Sequence, residues 1–397
     1  MNQMVKPSSA TDWIGRARDL QPILATGADQ TERERRVPDH VMDAVFEADL
    51  FKLLLPASLG GAAADLITYN GVIEALAEAD ASTAWCVSQA LTSSHAAGFL
   101  SKDIANEVFN SGYGVVAWGP PGGMAKAIAV EGGYRSSGMW RFASGAPHAL
   151  WFGGHSILCD QDGKPRLDAA GRPINRTMLF TRDKVTMLDT WHVIGLKGTR
   201  SEDYTVKDVF VPEAYSTWRD SSPDRIESGP LYNIPMLTLY GIGFAGVALG
   251  LARASLKAFE ELAGKKASGG GLGQTTVLRE NGLVRADFAK ATARLKRTRA
   301  FVHEILDEIW SISKTRGQFS LEERAQLRLA ITGTIQEAAK VVDYAYHAAG
   351  STAIYEGSAF ERRFRDMHAV TAHGQSQMSN YEAAGQALFG SEPAQRL

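Results

Sequence analysis

Two histidines stand just behind an Arg-Asp pair in the stretch Phe360-Glu361-Arg362-Arg363-Phe364-Arg365-Asp366-Met367-His368-Ala369-Val370-Thr371-Ala372-His373-Gly374. A glutamate here would suit removal of a proton from carbon, whereas a neutral imidazole beside glycine suits hydrogen bonding to a bound intermediate. On a continuous helix a spacing of five residues turns the two rings about 140° apart, so they cannot face one metal ion as an i, i+4 pair would. No metal site is expected. One ring is expected to face a cavity and the other an interface or solvent, and a hydrogen-bonded structural role competes for both.

Trp140-Arg141-Phe142-Ala143-Ser144-Gly145-Ala146-Pro147-His148 reads as a strand that ends in a hydroxyl followed by a turn glycine. Ser144 can face a planar ligand there while Gly145 lets the backbone come close, although serine also favours ordinary turns. Val116-Ala117-Trp118-Gly119-Pro120-Pro121-Gly122-Gly123 is a similar strand end, where Trp118 is either core or a pocket wall. Gly241-Ile242-Gly243-Phe244-Ala245-Gly246 spells GxGxxG, with Glu260 and Glu261 near the distance of a ribose-binding acid. A dinucleotide unit needs a second strand soon after its helix, and here a Gly-rich loop and another long helix follow. The glycines therefore predict close helix packing rather than a nicotinamide site.

The elements that must position these residues fall into three zones. With 397 residues the chain exceeds one typical core. Residues 1–112 show helical periodicity. Residues 113–227 carry short β-branched runs punctuated by glycine, which favour an antiparallel β-domain. Residues 228–397 return to long helices, at 237–263, 277–313, 321–349 and 365–388, with a Gly/Ser-rich loop at 265–274. Such lengths with short links predict a four-helix bundle. The fold class is mainly α with an inserted β-domain.

Composition narrows the function. The 42 basic and 44 acidic side chains give a net charge of -2 without a long basic stripe, so nucleic acid is not an expected partner. Cys86 and Cys159 lack metal or redox spacing and read as buried thiols. The first twenty residues include Asp12, Arg16, Arg18 and Asp19 and do not read as a signal peptide. No uninterrupted apolar run reaches the roughly 18 to 20 residues of a membrane span, and a soluble, cytoplasmic protein is expected.

The order of helical part, β-domain and bundle, with Trp140-x-Phe142-x-Ser144-Gly145, Asp189-Thr190-Trp191-His192-Val193-Ile194-Gly195-Leu196-Lys197-Gly198-Thr199, Val209-Phe210-Val211-Pro212 and Phe364-Arg365-Asp366, resembles the acyl-CoA dehydrogenase superfamily over nearly the whole chain. Ala81-Ser82-Thr83-Ala84-Trp85 and the histidine-bearing end look most like its flavin-dependent two-component monooxygenases. In the dehydrogenases of this superfamily the Arg-Asp precedes a Tyr-Glu-Gly whose glutamate is the base. The positions matching that Tyr and Glu are His373 and Gly374, while Tyr355-Glu356-Gly357 falls before Arg365-Asp366.

The resemblance implies an oxygenase component that uses reduced FMN or FAD and O2, through a C4a-hydroperoxide, to hydroxylate an aromatic or heteroaromatic, phenol- or indole-like substrate. Reduced flavin would come from a separate NAD(P)H:flavin reductase, and the protein would be a homotetramer. It also implies Ser144 near flavin N5 and His373 near the peroxide as catalytic residues. Trp118, Trp140, Thr199, Arg200, Ser201 and Arg285, with Arg279 beside the last, are the other candidate flavin contacts. His95, Trp118, Trp140, His148 and His368 are the candidates on the substrate side. An acyl-CoA dehydrogenase-like FAD oxidoreductase and an N-oxygenase of an amine are the alternatives.

Overall fold

The computed structural model describes residues 12–218, 224–267 and 276–393, so most of the expected 265–274 loop lies outside the described residues. Among the described residues six α-helices come first: α1 (Trp13–Asp19), α2 (Gln21–Glu34), α3 (Asp39–Glu47), α4 (Leu66–Ala79), α5 (Ala81–Ser94) and α6 (Lys102–Phe109). Their starts are written locally. Asp65 caps α4 through the Thr68 N–H, and Asp80 caps α5 by accepting from the Thr83 N–H at 2.7 Å, which takes up donors a helix leaves open.

Among the described residues eight strands form one sheet: β1 (Val116–Gly119), β2 (Lys126–Val130), β3 (Gly133–Ala143), β4 (Trp151–Cys159), β5 (Asn175–Thr181), β6 (Thr186–Leu188), β7 (Glu202–Pro212) and β8 (Ser216–Thr217). The order is β6-β7-β3-β2-β4-β5-β8, with β1 beside β4. Five pairings are antiparallel as expected. The β1–β4 and β2–β4 pairings are parallel, which corrects the purely antiparallel expectation. The physical reason is the route of the chain: β3 returns along β2, and the connection then crosses over β2 so that β4 runs in its direction.

The C-terminal part begins with α7 (Met236–Ala263), α8 (Gly282–Thr315) and α9 (Leu321–Ala349). Ser320 and Glu323 form a capping box at the start of α9. The glycine stripe of α7 packs against α4, as its spacing predicts: a Cβ on Gly250 would lie 2.4 Å from the Glu74 carbonyl oxygen. Buried Glu74 also pairs with Arg253 of α7 and accepts from Arg299 Nε of α8 at 2.8 Å, a compensation that a buried carboxylate requires. By length and composition α7 could cross a membrane, yet 83% of its apolar window is buried within the protein.

The fourth long helix, expected at 365–388, is two helices. α10 (Ala359–Thr371) ends before His373, and α11 (Ser379–Leu388) starts after a 3₁₀ turn at Gly374–Ser376. His373 adopts an extended backbone and its own ring accepts the Gln375 N–H, a local bond that competes with helix. Arg328, Thr332 and Gln336 of α9 take up Gln375 and Ser376, which holds the break open. His368 and His373 therefore do not share a helix, and the 140° separation has no basis in the fold.

Because Gly250 faces backbone rather than a flexible side chain, Gly250→Ala is expected to lower stability by about 1–3 kcal/mol through overpacking. Urea denaturation checks this, and an unchanged midpoint would contradict the packing described.

Candidate active site

Ser144 owes its position to a bulge. Trp140 pairs with Tyr204 and Ala143 with Glu202, so two residues of β3 oppose one of β7, and Phe142 takes a φ of 59°. Ser144 follows the strand end, and Gly145 completes the turn at φ 74°. The Ser144 hydroxyl is buried and accepts from Trp85 Nε1 of α5 at 3.1 Å. It lies 2.7 Å from Ser201 Oγ, which lies 2.7 Å from Thr199 Oγ1, which donates to the Leu196 carbonyl at 2.9 Å. Three of the expected residues, Ser144, Thr199 and Ser201, thus form one chain of buried hydroxyls.

The loop that carries this chain is held from the bundle. Buried Asp366 of α10 accepts the Leu196 N–H at 2.6 Å, and Arg365 donates to the Ile194 carbonyl while pairing with Glu361 and with Glu32. Gly195 is needed because a Cβ there would lie 2.1 Å from the Arg365 carbonyl oxygen. Leu196 and Arg200 both have positive φ, at 52° and 40°, conformations that persist only when the surroundings over-determine them. Burial, followed by the neighbouring Asp80 and Glu32 charges, pushes the Asp366 carboxyl up to about 7 against the Leu196 hydrogen bond.

His373 closes the other side. Its ring meets Phe244 edge-on at 4.4 Å and Trp85 at 5.8 Å, and Phe244 stacks on Trp85 at 4.1 Å. The wall continues through Tyr240, 6.1 Å from Phe244, to Trp118, whose indole N–H donates to the Tyr240 hydroxyl. Burial drives the His373 imidazole down to about 4, so it is neutral at physiological pH. With Nδ1 accepting the Gln375 N–H at 3.2 Å, the single ring proton sits on Nε2. His373 can donate one hydrogen bond but carries no charge.

Other expected residues lie elsewhere. Trp140 is fully buried inside the sheet domain, stacked on Tyr204 at 5.4 Å and bonded to the His155 carbonyl at 3.0 Å, because its strand position points it to the core. His148 bonds the Val37 carbonyl at 2.9 Å and faces Asp39, so it fastens the sheet domain to the start of α3; burial, then Arg36, lowers its pKa. His368 meets Asp343 of α9 at 3.0 Å and packs on Phe364, a strut between helices rather than a pocket group. His95 is fully buried between Phe99 and Tyr232. Arg200 pairs with Glu202 at 2.7 Å beside the hydroxyl chain. Arg285 is exposed at the start of α8 and donates to the Arg279 carbonyl.

Sequence reasoning missed Trp85, Tyr240, Phe244 and Gln375 as site residues. Trp85 stood in view within Ala81-Ser82-Thr83-Ala84-Trp85, and Tyr240 and Phe244 have the i, i+4 spacing that shares a helix face. Gln375 carried no signal, since it acts through its backbone N–H.

Residues 242–378 match the family described as Acyl-CoA dehydrogenase, C-terminal domain, and residues 19–102 match Acyl-CoA dehydrogenase, N-terminal domain. The indole-3-acetate monooxygenase of Pseudomonas putida is 29% identical over 364 residues, covering 91% of this chain and 90% of that protein. The FADH(2)-dependent resorcinol hydroxylase, oxygenase component, of Rhizobium sp. is 27% identical, covering 96% of this chain and 94% of that protein. XiaF from Streptomyces sp., solved in complex with FADH2 and glycerol, superposes with a TM-score of 0.86 at 22% identity, covering 97% of this chain and 96% of that one. The chain belongs to the acyl-CoA dehydrogenase superfamily. Within it, the chain is a flavin-dependent monooxygenase of the kind that forms the oxygenase component of two-component systems.

The donor set fits that cofactor. The buried Ser144 hydroxyl, backed by Ser201 and Thr199, and the neutral His373 N–H, both set against Trp85, suit the edge of a planar ring bearing nitrogens and carbonyls.

Two outcomes follow from the electrostatics. The folded-state pKa of His373 lies below its ordinary 6.5, so its side-chain NMR signals should stay constant from pH 8 to about 5.5; a midpoint near 6.5 would contradict desolvation of the ring against Phe244 and Trp85. For Asp366 the folded pKa lies above the ordinary 3.8, so the folded form holds an extra proton between the two. The stability this contributes is complete below about pH 4 and lost as pH rises through about 7. Asp366→Asn should therefore gain on the wild type in urea midpoint between pH 5 and 8.5.

Proposed function

We propose that this chain hydroxylates a small aromatic or heteroaromatic compound of phenol or indole type, with reduced FMN or FAD delivered by a separate NAD(P)H:flavin reductase. The observation that carries the reading is the junction at Trp85. Its indole N–H holds Ser144, and its face holds Phe244 and the uncharged ring of His373. Such a site can form hydrogen bonds among desolvated groups and contains no carboxylate base at position 374, where the dehydrogenases of this superfamily that keep their base on this helix carry one. Tyr355-Glu356-Gly357, the other copy of that tripeptide, lies in an exposed turn before α10.

When bound, reduced flavin supplies the electrons that activate O2. The protein's share is positioning and the exclusion of water. Ser144, with Thr199 and Ser201 behind it, would hold the ring's central edge, and Arg200 stands beside them. Arg285 and Arg279 would meet a flavin phosphate across a subunit contact. His373 would hold its Nε2 proton toward the reacting oxygen without giving it up, because an imidazole kept this far from protonation is a hydrogen-bond donor before it is an acid. Trp118, Tyr240 and Phe244 would wall the space for a flat substrate. Leu388, Phe389 and Met378 are exposed at 46%, 92% and 68%, apolar surface that supports self-association; the homotetramer and the cytoplasmic location are part of the same proposal.

Anaerobically reduced FMN or FAD, mixed with the protein, oxygen and a phenol or indole, should yield hydroxylated product with little free peroxide. Peroxide alone across a panel of such compounds, or reduction of bound FAD by an acyl-CoA, would overturn the reading. His373→Ala is expected to shift the yield from product to peroxide by about tenfold or more, the order seen when a hydrogen-bond donor to developing charge is removed. Unchanged coupling would remove His373 from this role.

A further inference from the structure

The hydroxyl chain has only one consistent assignment of its protons. A threonine hydroxyl carries one proton, and that of Thr199 goes to the Leu196 carbonyl, which can only accept. The 2.7 Å contact between Thr199 and Ser201 must then be made by the Ser201 proton. With that proton spent, the 2.7 Å contact between Ser201 and Ser144 must be made by the Ser144 proton. The Trp85 N–H, a donor in every state, occupies one lone pair of Ser144. All four side chains are at least nine-tenths buried, so water does not offer the hydroxyls an easy alternative.

We propose that this directed chain, Trp85 to Ser144 to Ser201 to Thr199 to the Leu196 carbonyl, makes Ser144 an obligate acceptor toward its ligand and thereby selects the redox state of the flavin. The proposal rests on the flavin reading above and deepens it. Ser144 has no proton left to give and one lone pair left to offer. Reduced flavin carries a proton on N5 and can donate to that lone pair. Oxidised flavin presents a bare N5 that needs a donor, so it meets lone pair against lone pair. Thr199 and Ser201 touch no ligand in this scheme. They are positioning residues that discriminate between cofactor states by fixing the direction of a proton on Ser144. Leu196 can serve as the end of the chain because Asp366 anchors its N–H. Its carbonyl also accepts from Trp191 Nε1 at 3.1 Å, so it keeps a partner if the Thr199 hydroxyl is removed.

The test is the ratio of dissociation constants for oxidised and reduced FMN, each measured anaerobically with the whole protein, and repeated with FAD. Wild type should favour the reduced form. Thr199→Val, which keeps shape, and Ser201→Ala both release the Ser144 proton, and each should shrink the ratio about five- to tenfold, the worth of one redirected hydrogen bond. Thr199→Ser should restore it. Trp85→Phe, which leaves the Ser144 proton committed to Ser201, should keep the ratio within about twofold. An unchanged ratio in the folded Thr199→Val and Ser201→Ala variants overturns the proposal while leaving the flavin reading intact. Wild type that binds neither redox state overturns both.

Discussion

One hydrogen bond ties the loop that carries Thr199 and Ser201 to the helical bundle: the Asp366 carboxyl of α10 on the Leu196 N–H of the sheet domain. It crosses from the bundle to the sheet domain within one continuous core, and it is buried on both sides. The loop it grips runs through Leu196 and Arg200 at positive φ, costing about 1–3 kcal/mol at each such residue. Without a partner from the bundle that strain would relax. With it, Thr199 and Ser201 are presented to Ser144, and the β3 bulge supplies the matching half from the other direction. The Arg-Asp pair is thus structural in its contacts, and what it holds in place is the hydroxyl chain of the candidate site.

The same economy appears around His373. A histidine at the end of a solvated helix would titrate near its ordinary value, but here the chain leaves helix at Ala372 and tucks the ring against Phe244 and Trp85. Desolvation then decides the protonation state, and the Gln375 N–H decides the tautomer. Arg328, itself buried and held to the Gln375 side chain, steadies the turn that makes both decisions. The candidate site is made of hydroxyls, aromatic rings and one neutral N–H, with the Arg200–Glu202 pair beside the hydroxyl chain.

Much of the fold was legible because it rests on local rules. Helical periodicity in residues 1–112 and the long apolar periods that became α7 and α9 placed the helices, and the glycine stripe in α7 announced close helix packing, which the fold realises against α4. Ser144, Thr199 and Ser201, named as candidates from their motifs, come together in the fold as one chain of hydroxyls. Trp140, His148 and His368 are candidates by resemblance and residue type, neither of which distinguishes an aromatic in a strand's core face or a histidine meeting an aspartate from a pocket wall. The break at residues 372–378 was invisible because no proline announces it; it depends on Arg328, Thr332 and Gln336, roughly forty residues away.

The sequence by itself determined the succession of helical part, sheet domain and bundle, the absence of a glutamate at position 374, and the presence of a hydroxyl beside a turn glycine at 144. These follow from periodicity, side-chain chemistry and order along the chain, which need no third dimension. Only the tertiary structure decided that α10 and α11 are separate, that His373 is neutral with its proton on Nε2, and that Ser144 is tied through Ser201 and Thr199 to Leu196. Those outcomes depend on desolvation and on who donates to whom, and both are properties of neighbours that folding alone brings together.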